Sequence, residues 1–110
     1  MIREDFLMRM IRRLAELIGR ALGLARNGQH EEAELAIEDI YKTELGMTRD
    51  MVERLDPATV ARTLGAEKSM IVASLLDAEA QLAELAADET RASLRRSRAS
   101  AIRAAAGIPM

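Results

Sequence analysis

The stretch "LARNGQHEEAELAIEDIY", residues 24–41, holds a helix end, a glycine turn and the start of a second amphipathic helix. Leu24 to Arg26 close one amphipathic helix. Asn27 and Gly28 then tolerate the left-handed conformation in which helices commonly end. Glu31, Glu32 and Glu34 follow in the first turns of a second helix, where acids complement the positive end of the helix dipole. The stretch therefore reads as the bend of an antiparallel helical hairpin.

Before the bend, residues 4–26 place Leu7, Met10, Leu14, Leu17, Ile18, Ala21 and Ala25 at spacings of three and four, which is one helical face. Arg9, Arg12, Arg13, Glu16 and Arg20 take the other side. The second helix buries Ala33, Ala36, Ile37, Ile40 and Tyr41, and Gly46 stops it. Thr48 is placed to cap a short helix "RDMVERL". In "DPATVARTLG", Asp56 is the cap, Pro57 sits where its missing donor is harmless and Gly65 is the terminator.

From Ala66 to Ala106 there is neither glycine nor proline. This run is one long helix or two, and the reading adopted is two, broken at Asp88, whose side chain caps the second. The first of these, residues 66–87, is apolar on more than one side and needs cover on two faces. Its Met70, Ile71, Leu75, Leu76, Leu82 and Leu85 are thus candidates for an interface with a second chain as well as for the centre of the bundle.

Within the hairpin, Leu17, Ala21, Leu24, Gly28, Ala33, Ile37 and Ile40 fall at the offsets where a tetratricopeptide repeat keeps its large, small and glycine residues. Small Ala21 and Ala33 let two helices approach, and Gly28 lets the chain reverse. His30 stands where the repeat has Tyr, Ile40 where it has Ala, and no Pro closes the unit. With "LGM" and "RLDPATVARTL" beyond it, the order of segments resembles a small bacterial family of tetratricopeptide-like (TPR-like) helical proteins of unknown function. That resemblance covers about two-thirds of the chain. It implies an α-helical fold and supplies no catalytic residue.

The 110 residues bound the rest, since they make one domain with a modest core. Hydrophobic residues at 49% and charged residues at 31% give a globular balance, too apolar for disorder and too interrupted for a membrane span. Aromatics at 2% and a mass of Ala, Leu, Ile and Met are the alphabet of helices, so no sheet is expected. No cysteine is present, which removes disulfides, thiolate metal sites and cysteine nucleophiles. A cytoplasmic location is the expectation, because the first residues lack the apolar core and cleavage site of a secretion signal.

The expected architecture is an all-α bundle of four to six helices in one domain, 1–110. It begins with a TPR-like hairpin over 1–46, continues with short helices over 47–65 and ends with long or paired helices over 66–106.

Little in the sequence points to chemistry. His30 is the one histidine. With Glu34 one turn on, it makes half a metal site at most, and the acids Glu31, Glu34, Glu38 and Asp39 read as a solvated face. No metal, cofactor or enzymatic activity is expected, since phosphate loops and nucleophile elbows are also absent. Gly19 and Gly23, four apart, suggest close approach of another helix, across a dimer axis among the options; the surrounding arginines rule out a bilayer.

Charge is distributed unevenly although the net is -2. Residues 1–26 carry six Arg against three acids, and 27–56 carry nine acids against three bases. Residues 91–110 carry Arg91, Arg95, Arg96, Arg98 and Arg103 with no acid. The reading adopted lays this tail on the acidic second helix, within the chain or across a homodimer. The alternative is a nucleic-acid contact through the arginines. Either way the expected role is protein–protein contact with self-association, and nucleic-acid association stands as the second option.

Overall fold

The computed structural model describes residues 2–108, with side-chain surroundings from Met8 onward. Five α-helices and no strand are found among the described residues: α1 (Ile2–Arg26), α2 (His30–Ile40), α3 (Arg49–Arg54), α4 (Pro57–Leu85) and α5 (Glu89–Ala105). A π-helical turn, Tyr41–Leu45, prolongs α2. Leu7, placed in the buried stripe by its spacing, lies outside the described side chains.

α1 ends as its sequence requires. Gly28 has φ +82°, the Gln29 amide donates to the Leu24 carbonyl at 2.9 Å and the Gly28 amide to that of Ala25 at 3.0 Å. These paired bonds satisfy the last carbonyls of the helix. The chain reverses there, and α2 packs back on α1 through Ala33, Ile37 and Ile40 against Leu14, Ala21 and Ala25, all buried. Leu17 and Leu24 are half-buried beside them, so the hairpin residues other than exposed Gly28 share one apolar layer.

α3 starts at Thr48, whose hydroxyl accepts from the Met51 amide at 3.2 Å. α4 starts at Asp56, whose carboxylate accepts from the Ala58 amide at 3.1 Å, with Pro57 in the first turn. Gly65 was expected to terminate a helix. It does so: Gly65 has φ 83° and ψ 170°, non-helical and open to glycine and almost no other residue, and a second helical arm follows it directly across a sharp kink, the two arms being counted together as α4. The kink redirects the long arm, 66–85, into the middle of the molecule.

The predicted break at Asp88 is present. Asp88 accepts from the Arg91 amide at 3.0 Å and caps α5. The turn before it repeats the bonding at Gly28, with the Asp88 amide donating to Ala83 at 2.8 Å and the Ala87 amide to Glu84 at 2.9 Å. Here the left-handed residue is Ala87, φ +61°, which is strained by about 1 kcal/mol relative to glycine. α5 folds back along α4, and small Ala80, Ala83, Ala92 and Ala99 let the two helices meet closely.

The long arm of α4 is the centre of the bundle, with Val72, Ala73, Leu75, Leu76 and Ala80 fully buried. Of the two roles its sequence left open, the long arm fills the centre of the bundle within the chain. Ile71, Leu75, Leu76 and Leu82 are covered within the chain by α1, α2 and α5; Met70 is half-buried and Leu85 exposed. No helix among the described residues is long and apolar enough to cross a membrane.

Candidate functional site

Two features stand out once the helices are in place, a charged network inside the bundle and an apolar groove on its surface. The network centres on Glu79, 1% exposed in the long arm of α4. Leu75 and Leu76 lie one turn before it and Leu82 and Ala83 one turn after, so its side chain is carried on the apolar face into the core. Tyr41 donates its hydroxyl to Glu79 Oε2 at 2.9 Å. Arg49 Nη1 donates to Glu79 Oε1 at 2.9 Å and to Glu34 Oε2 at 2.5 Å. Arg95 Nη1 is 2.7 Å from Glu79 Oε1, close enough for an ion pair but at an angle that leaves it without a hydrogen bond. Its Nη2 lies 3.2 Å from Glu53.

The sequence of charges is acid, base, acid, base, acid: Glu34 of α2, Arg49 of α3, Glu79 of α4, Arg95 of α5 and Glu53 of α3. Burial pushes the Glu79 carboxyl up from the ordinary carboxylate range, and the two guanidiniums pull against that shift. Burial also raises the Tyr41 hydroxyl, with the Glu79 charge adding to it. Both Glu79 oxygens are taken by groups of the chain itself. The network therefore pins four helices to one another and offers no open coordination position or base to a substrate.

The arginines of α5 are spent in the same way. Arg96 pairs with Glu84, and Arg103 with Asp77 at 2.5 Å. Arg98 donates to the carbonyls of Val52, at 2.6 Å, and Leu55. Arg91 is 4.0 Å from Asp88. The basic tail thus makes its ion pairs with α3 and α4 rather than with the acidic α2, which corrects the sequence reading. The turn at Ala87 and Asp88 returns α5 along α4, and the nearest acids there are those of α4 and α3.

His30 lines a cleft of about 370 Å³ with Glu31, Glu34, Asp88 and Arg91 over a floor of Ala25, Ala33, Leu82 and Ala83. Among the described residues no three histidine or carboxylate side chains are gathered to hold a metal ion.

The groove lies between α1 and the long arm of α4. Its floor is buried Leu14 and Ile71, its walls are Ile11, Ala15, Ile18, Met70 and Ser74, and it encloses about 360 Å³. Ile11 is 37% and Met8 49% exposed. The spacing accounts for this. Residues 10, 14, 17, 21 and 24 form one seam of α1, turned to the core; residues 8, 11, 15, 18 and 22 form a second at the same three-four spacing, turned to the groove. Only the inner part of the second seam, at half-buried Ile18 and Leu22, meets the bundle.

Gly19 is exposed beside this seam and Gly23 half-buried behind it, both with ordinary helical φ, and a Cβ at either would meet nothing within 4 Å. A glycine in a helix interior is about 1 kcal/mol less favourable than alanine. Among the described residues no close packing requires one at 19 or 23.

Compared with known proteins, the chain matches no family model, no curated protein and no solved structure.

Proposed function

We propose that the protein works by protein–protein contact at the groove between α1 and α4, that it does no chemistry of its own, and that it self-associates. The observation that carries this reading is the open apolar groove itself. Apolar side chains with one hydroxyl, Ser74, suit a hydrophobic side chain from a partner helix, and no acid or base lines the groove to activate that hydroxyl. The TPR-like pattern of the first hairpin points the same way.

The role for a nucleic-acid contact is weakened by the pairing of the α5 arginines. Arg95, Arg96 and Arg103 face carboxylates of the same chain, so phosphate would have to displace those partners.

A photo-crosslinking residue at position 11, compared with one at exposed Arg62, tests the reading in cells that make the protein. Adducts are expected from position 11 and not from 62. No adduct from position 11, with the protein folded, would overturn it.

A further inference from the structure

We propose that the outer face of α2 docks head to tail on the outer face of α1 from a second copy of this chain, with Leu35 over Gly19 and Gly23. This rests on the reading that the protein self-associates, and it gives that association a surface separate from the groove.

The two faces carry opposite charges in matching order. On α1, Glu16, Gly19, Gly23 and Arg26 follow one another at spacings of three and four with Arg20 beside them, on the side turned away from buried Leu14, Ala21 and Ala25. That face is a notch without side chains, flanked by two bases, with one acid at its start. On α2, Glu31, Leu35, Glu38 and Lys42 are spaced in the same way with Asp39 beside them, and Leu35 is 61% exposed. That face is an apolar knob flanked by acids, with one base at its end. None of these charged side chains forms an ion pair among the described residues.

Laid antiparallel with Leu35 over the glycine pair, α2 of one copy brings Glu31 beside Arg26, Glu38 and Asp39 beside Arg20, and Lys42 beside Glu16 of the other. At 1.5 Å per residue each pair lies within about 5 Å along the axes, which a long side chain spans. Arg9 and Arg12 fall beyond the end of α2 in this register. The parallel alignment sets Glu31 against Glu16 and carries Lys42 past the end of α1, so the charges select the antiparallel one.

The contact has to be between copies. Ala33, Ile37 and Ile40 hold α2 against Leu14, Ala21 and Ala25 of its own α1, which turns the two outer faces away from each other. A copy with one face on each side takes a neighbour at both, so addition does not stop at two. The arginines of α5 are no rival for the acidic face, since Arg95, Arg96 and Arg103 already meet carboxylates of their own chain.

Light scattering behind size-exclusion chromatography, over a range of concentrations and at two salt strengths, tests this. Exposed ion pairs are individually weak, so the wild-type mass is expected to climb with concentration past that of a dimer and to fall as salt rises. Two variants give one face the wrong sign: Arg20→Glu with Arg26→Glu, and Glu31→Lys with Asp39→Lys. Each is expected to weaken association by at least about tenfold. All four positions are exposed, and circular dichroism checks the helices; where a double variant is not folded, Arg20→Glu or Asp39→Lys alone replaces it.

Mixed together, the two variants present an acidic α1 face to a basic α2 face, and a basic α1 face to an acidic α2 face. The mixture is expected to regain the association that neither has alone, which damage to a helix would not produce. Wild-type association by either variant, no gain on mixing, or a closed wild-type dimer at every concentration overturns the proposal and leaves self-association through another surface standing. A wild-type monomer at every concentration overturns both. Position 11 lies outside this contact, so its adducts report on the groove alone.

Discussion

α4 and α1 are both long helices with more apolar surface than one neighbour covers, and they have opposite surroundings. The long arm of α4 lies between α1, α2 and α5, with Leu75, Leu76 and Val72 fully buried. α1 has the same kind of excess, a second three-four seam, and leaves Met8 and Ile11 in solvent. Apolar excess along a helix reports that cover is needed on two sides. Which molecule provides it is decided by turns elsewhere in the chain, at Gly65 and Ala87, which bring α4 inward and fold α5 over it.

The contrast is tested most severely by truncation. Leu75→Ala opens a cavity in the covered helix and is expected to destabilise the fold by about 3 kcal/mol. Ile11→Ala, on the uncovered seam, is expected to cost under about 1 kcal/mol in the monomer. Urea unfolding of both variants checks the ratio, and equal losses would mean the α1 seam is as well packed as α4.

The charged interior of α4 gives the next effect. Arg95→Ala leaves Glu79 with one guanidinium instead of two in a site closed to water, and a loss of about 3 kcal/mol is expected, since an uncompensated buried charge is costly. Reversing Arg12 on α1, which is exposed and makes no ion pair among the described residues, is expected to leave monomer stability within about 0.5 kcal/mol of wild type. Thermal denaturation of the two at one concentration separates the regions.

Glu79 also gives the pH dependence a sign. Its folded pKa is raised above the ordinary 4.5, so between that value and the raised one the folded protein keeps a proton that the unfolded chain has released. Its contribution to stability is present below 4.5 and is lost as the pH rises through that window. Asp56 acts oppositely, because hydrogen bonds from Thr59 and Ala58 lower its carboxyl, and its contribution is lost as the pH falls. Glu79→Gln is therefore expected to flatten the stability curve above pH 4.5 and to leave the acid limb unchanged. A curve unaltered by Glu79→Gln would mean the carboxyl is held ionised by its arginines.

The helices themselves were legible because their ends are local. Asn27 and Gly28, Thr48, Asp56 with Pro57, and Asp88 each mark a boundary through their own backbone preferences, and each boundary is where the spacing put it. The Glu79 network was not read, although a signal existed. Asp77 and Glu84 fall toward solvent, whereas Glu79 has Leu75, Leu76, Leu82 and Ala83 at three and four residues on both sides, the position of a core residue. Its partners Tyr41, Arg49 and Arg95 come from three other segments, 38, 30 and 16 positions away, and no local pattern joins them. The docking of α5 was misassigned for the same reason, since the choice between acids on α2 and acids on α4 depends on a turn whose left-handed residue is an alanine.

The smallest expected effect bears most directly on the comparison. Gly19 lies in the uncovered seam's margin with helical φ and no neighbour within 4 Å of an added Cβ. Gly19→Ala is therefore expected to stabilise the monomer by about 0.5 to 1 kcal/mol, through helix propensity alone. Gly65→Ala, in contrast, puts a methyl at φ +83° and is expected to destabilise, because the kink that sends α4 inward needs that conformation. Thermal denaturation at low concentration, where the chain is monomeric, reads both signs. A stabilised Gly19→Ala monomer would show that the glycine is unfavourable for the fold that carries it, and would place the reason for it in what approaches α1 from outside.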